Sequence, residues 1–145
     1  MAGGYRYLED VAIADVAFEA WGESLEELFR AAWEATLAAM VAEVESVRPQ
    51  TRRTFRLEDP AADLLLVRFL QELVFRKDAE QLLLRPGWIR IRSRPGGLTL
   101  DAEAWGERID PERHRLLADV KAVTFHRLAV EHTASGWKGT VVLDV

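Results

Sequence analysis

The chain has 145 residues, 49% of them hydrophobic and 30% charged, the balance of one compact domain with a real core. It contains no cysteine, which excludes disulfides, thiolate chemistry and zinc–cysteine sites. A net charge of -5 argues against strong direct nucleic-acid binding, and no apolar run reaches the ~20 residues of a membrane span.

The opening stretch MAGGYRYLED lacks the basic-then-apolar pattern of a secretory leader, so a cytoplasmic location is expected. DVAFEAWG alternates, with Val16, Phe18 and Ala20 on one side and Asp15, Ala17, Glu19 and Trp21 on the other. That is the pattern of a half-buried strand. Ser24 with Glu27 three residues on forms a capping box, and apolar residues then recur at helical spacing. The spacing predicts a first helix from about Leu25 to about Val41.

VESVRPQTRRTFRLED reads as one or two strands bent at Pro49. DPAADLLLVRFLQELVFRKD reads as a second helix, with Asp59 as N-cap and Pro60 at its first position. Its apolar residues nearly circle the axis, so it is buried on most sides or meets a partner, which leaves a homo-oligomer open. LLRPGWIRIRSR, PGG and LTLDAEAWGE form a hairpin signal. IDPERHRLLAD is loop-like; VKAVTFHRLAVEH and GWKGTVVLDV read as two further strands joined around Ser135-Gly136. The whole is a single α+β domain over 1–145: a mostly antiparallel sheet with two helices packed on one face.

The chain stops one residue after an acid. Asp15, Asp144 and the Val145 carboxylate would form a hard anionic pocket if the first and last strands adjoin. Oxygen donors of that kind suit Ca²⁺, Mg²⁺ or Mn²⁺. Taken singly, each acid is equally well a solvated strand end. Asp119, Lys121 and His126 cluster in a second candidate stretch, with His126 sharing a strand face with Ala122 and Thr124. A surface pair of Asp119 and Lys121 and a structural histidine account for the same residues. His114 and His126 together would permit a metal-dependent phosphoesterase, but no ligand spacing or catalytic motif supports one. Arg85, Arg90, Arg92 and Arg94 make a local basic stripe, either a solvated face or a contact for an acidic partner.

Four stretches together resemble the archease family: ADVAFEAWG, LLLVRFLQELVFRKDAEQLLL, DPERHRLLADVKAVTFHRLAVE and the ending GWKGTVVLDV. VKAVTFH and the terminal LDV are the most specific of these. The resemblance spans essentially the whole chain. It implies an α+β fold and an accessory protein rather than a stand-alone enzyme. The implied partner is the tRNA-splicing type RNA ligase, whose guanylylation and multiple turnover archeases promote. It also implies a divalent metal site, with Asp15 and Asp144 as acidic ligands and Val145 as the terminal carboxylate. The family's His-Thr-Ala-Asp run reads Ala12-Ile13-Ala14-Asp15 here, and Gln71, Asp119 and Phe125 stand where Asn, Glu and Tyr are usual. A chaperone-like or scaffold protein using the apolar second helix as a contact surface is the alternative.

Overall fold

The computed structural model describes residues 3–9 and 15–145. Its elements are β1 (Gly4–Leu8), β2 (Asp15–Gly22), α1 (Leu25–Met40), a 3-10 turn at Val44–Ser46, β3 (Thr51–Asp59), α2 (Ala62–Glu80), β4 (Leu82–Arg94), β5 (Gly97–Arg108), β6 (Ala122–Val123), β7 (Ala129–Thr133) and β8 (Gly136–Asp144).

All pairings between these strands are antiparallel, but they form two sheets rather than one. One runs β1-β2-β8-β6 with β7 also on β8; the other runs β3-β5-β4. The long loop between β5 and β6 carries the chain from the second sheet back to the first. Both helices pack between the sheets: α1 meets β1, β2 and β8 on one side and β4 on the other, and α2 meets β3, β4, β5, β6 and β7.

Sequence explains α1 directly. Ser24 accepts a hydrogen bond from the Glu27 amide, which satisfies one orphan donor of the helix, and the Glu27 carboxylate accepts one from the Glu23 amide just before the cap. The helix interior is alanine-rich, which lets the sheets approach closely; Ala31, Ala32, Ala35 and Ala39 are all buried. Trp33 fills the centre. Its ring lies 4.7 Å from Phe69 and 5.9 Å from Phe55, and its Nε1 donates to the Leu84 carbonyl at 2.8 Å.

The start of α2 differs from expectation. Asp59 ends β3 and Pro60 lies in the turn, so the cap is Ala61 and the helix begins at Ala62. Asp59 still contributes, because its Oδ1 accepts from the Ala61 amide at 3.0 Å. The near-circular apolar pattern of α2 is core within one chain: Leu65, Leu66, Phe69, Leu70 and Leu73 are all buried. Leu64 and Phe75 are its exposed large apolar residues, and they share one face.

The expected strand over VKAVTFHRLAVEH is two short strands. Thr124 Oγ1 accepts from the His126 amide, Leu128 bonds back to the Phe125 carbonyl, and Arg127 takes the left-handed conformation at φ 56. That turn separates β6 from β7, and each pairs with β8 on its own. No helix among the described residues is long and apolar enough to cross a membrane.

Candidate functional site

The strand that begins at Asp15 adjoins the last strand. β2 and β8 pair along their length, and the register sets Asp15 directly opposite Asp144. Both aspartates are half-buried. Like charges directly opposite on a ladder oppose folding, so the pair is a local cost that a cation would relieve. Val145 follows at once, and its side chain packs against the core, which fixes the chain end beside Asp144.

This end of the sheet is braced from its other side. Ala122 pairs with Asp144, and the Lys121 amide donates to the Asp144 carbonyl at 2.8 Å. Thr124 bonds the Val142 carbonyl through its amide at 3.0 Å and through its hydroxyl at 2.9 Å. Gln71 Oε1 accepts from the Val123 amide at 3.1 Å, tying α2 to the short β6. The VKAVTF segment therefore acts as a backbone splint for the last strand. Ala12 and Ile13, which replace the family's His-Thr, lie outside the described residues.

The donors at this end are all oxygens, which fits a hard divalent cation. Among the described residues no three His, Asp or Glu side chains gather where they could hold a metal. Asp15 and Asp144 are the two side-chain oxygen donors that the register brings together.

The other sequence candidates separate. Asp119 does not pair with Lys121; it accepts from Lys77 Nζ at 2.6 Å. Lys77 is buried and also contacts Asp78 at 2.7 Å. Burial works against its charge, but the hydrogen bonds it donates to Asp119 and Asp78 hold the Lys77 pKa above its ordinary value. The Lys77 hydrogen bond and charge, with a smaller pull from Lys121, hold Asp119 below the usual carboxylate range. Nothing in the sequence pattern singled out Lys77, beyond its being a cation on an apolar helix. Lys121 is exposed and takes part through its backbone. His126 sits in the exposed turn, not on a strand face with Ala122.

His114 is structural. Its Nδ1 accepts from the Asp110 amide at 2.8 Å, so Nε2 carries the proton it shares with Glu107 at 3.0 Å. Both ring nitrogens are used, which leaves no lone pair for a metal and gives the two-histidine phosphoesterase no site. Glu107 also accepts from the Arg48 amide at 2.7 Å and from Arg113. Chiefly through Arg113, against the opposing effect of burial, its carboxyl is pulled down to about 2.

The domain that carries these residues is two antiparallel sheets with two helices between them. The profile of the archease protein family matches residues 5–145, and the chain belongs to that family. Protein archease of Methanosarcina mazei is 36% identical over 142 residues, covering 97% of this chain and 95% of that protein. Protein archease of Pyrococcus abyssi is 35% identical, covering 91% and 93%. The solution structure of protein 1598 of Methanobacterium thermoautotrophicum superposes with a TM-score of 0.84 at 31% identity, covering 98% of this chain and 99% of that one. The crystal structure of an archease from Thermotoga maritima, described there as a possible chaperone, shares the fold with a TM-score of 0.64 at 19% identity over 97% and 98% of the two chains.

Proposed function

We propose that this chain is an accessory protein of a tRNA-splicing type RNA ligase, promoting its guanylylation and multiple turnover. The supporting observation is the opposition of Asp15 and Asp144 beside the chain end. In this reading Asp15, Asp144 and the Val145 carboxylate hold a divalent cation, Ca²⁺, Mg²⁺ or Mn²⁺. Such a cation supplies charge neutralisation where negative charge develops on transferring phosphates. The protein's own part is to fix two carboxylates and the terminus at one end of a rigid sheet. The exposed turn carrying Phe125 and His126 lies next along the chain from the β6 splint and is available for contact with the ligase.

The test is multiple-turnover ligation by the cognate ligase with Mn²⁺ and GTP, RNA in excess, with and without this protein. Turnover is expected to rise on its addition and to stay at the basal level with Asp144→Ala, while the variant keeps its circular dichroism spectrum. A normally activating Asp144→Ala protein would exclude the terminal site.

A chaperone-like or scaffold role through α2 is the second reading. Leu64 and Phe75, both exposed on one face of that helix, favour it. It predicts client or self-association that survives Asp15→Ala and is lost in Phe75→Glu.

A further inference from the structure

The three-stranded sheet turns one face to the helices and leaves the other open. Leu100, Ala102 and Ala104 of β5 point inward and are buried. Asp101, Glu103 and Trp105 alternate with them on the outer side. Register places Arg52 and Arg85 on either side of Trp105, and Arg56 and Arg90 on either side of Asp101. Arg92 and Arg94 continue the same face along β4. Six arginines thus stand against three acids, Glu58, Asp101 and Glu103, a local excess of positive charge opposite in sign to the chain's -5.

Two indoles sit among these arginines. Trp105 is 36% exposed and Trp88 is 47% exposed. A break in the β4 register between Pro86 and Ile89 sets Gly87 and Trp88 against the single residue Glu103. That bulge turns Trp88 to the outer face. Its conformation is held by Arg30, which donates to the Pro86 carbonyl at 3.2 Å and also to that of Gly87. Each indole has a guanidinium over its ring: Arg52 at 5.5 Å from Trp105 and Arg90 at 6.0 Å from Trp88. Trp105 is further fixed by donating from Nε1 to Glu103 at 2.6 Å. Beside it lies a hollow of about 510 Å³ lined by Val47, Pro49, Arg85, Pro86 and Trp105.

The acids on this face are already taken. Glu58 pairs with Arg94, Glu103 with Arg52 at 3.5 Å, and Asp101 with Arg56 at 3.6 Å. Among the described residues, Arg85, Arg90 and Arg92 have no ion pair. Exposed rings on a sheet stack with bases, and free guanidinium groups meet the phosphates that run alongside. A duplex hides its base faces, whereas single-stranded bases offer flat faces that two fixed indoles can stack on. From this geometry we infer that the outer face of the β3-β5-β4 sheet binds a short single-stranded nucleic acid, with bases on Trp88 and Trp105 and phosphates on Arg85, Arg90 and Arg92. The overall negative charge keeps such binding weak and confines it to this face.

The inference does not depend on the ligase reading, and its test uses this protein alone. Fluorescently labelled oligouridylate and oligothymidylate of about twelve nucleotides are titrated by anisotropy, with a duplex and an oligoglutamate peptide of matched length as comparators. Binding of the single strands is expected, with quenching of tryptophan fluorescence and with weakening of at least tenfold between about 50 and about 200 mM salt. Trp88→Ala and the pair Arg90→Glu with Arg92→Glu are each expected to weaken it about tenfold, and Trp88→Phe to retain most of it. RNA and DNA binding equally places recognition on bases and phosphates; RNA alone adds the ribose hydroxyl. No binding of either strand, binding indifferent to Trp88, or equal capture of oligoglutamate would each overturn the inference, the last in favour of an acidic protein partner.

Discussion

Asp15 and Asp144 are cross-strand partners at the open end of the β2–β8 ladder, one residue from the chain's final carboxylate. Their opposition sets the behaviour expected of this end of the molecule with and without cations.

Directly opposed like charges cost a fraction of a kcal/mol to about 1 kcal/mol. Removing one by Asp144→Asn is therefore expected to raise the melting temperature by roughly 1–3 °C in chelator. Calcium at a concentration near 100 times its dissociation constant should stabilise the unmodified protein by about 3 kcal/mol and the variant not at all. Differential scanning fluorimetry with and without Ca²⁺ measures both. Equal calcium shifts in the two proteins would place the cation elsewhere.

The buried Glu107 predicts an acid-sensitive fold. Its carboxyl ionises at about 2 in the folded chain against an ordinary value of 4.5. The folded value is the lower one, so the stabilisation is complete above pH 4.5 and is lost as pH falls toward about 2. The difference corresponds to roughly 3 kcal/mol at neutral pH. Glu107→Gln is expected to lose most of that at pH 7, and the two proteins should converge in stability in acid. Urea unfolding across pH checks it; a constant gap between the two curves would contradict the ionic origin.

Trp33 combines packing with a buried hydrogen bond. Trp33→Phe removes ring volume beside Phe69 and leaves the Leu84 carbonyl without its donor. The expected cost is about 2–4 kcal/mol, read as a fall in the denaturation midpoint with an unchanged slope.

Two glycines of the three-stranded sheet are expected to differ sharply on substitution. A Cβ on Gly106 would lie 1.7 Å from the Leu83 carbonyl oxygen, so Gly106→Ala should not yield folded protein. Gly96, in the hairpin turn, has open space around it but a φ of +89. Gly96→Ala should fold and lose about 1 kcal/mol, the cost of that conformation for a residue with a Cβ. Soluble yield and thermal melts separate the two outcomes.

Much of this was legible in the residues themselves. Local signals were enough for α1, because the capping box and the apolar spacing both act within a few residues. The same holds for the β4–β5 hairpin, whose alternation and glycine turn are local features. The acids and the chain end were also visible as chemistry. What the sequence lacked was distance. Only the pairing of β2 with β8 decides that Asp15 meets Asp144, across more than a hundred intervening residues. The same long-range packing gave Asp119 to Lys77 rather than to Lys121, and closed His114 around Glu107. It also split one alternating run at Thr124, where a side-chain hydrogen bond to the backbone outcompeted the ladder. The arginine stripe could be read along β4, but its meaning depends on β3 and β5. Trp88, Trp105 and Arg52 come from three different strands and become one surface only when the sheet assembles, because register, not adjacency in the chain, decides which side chains share a face.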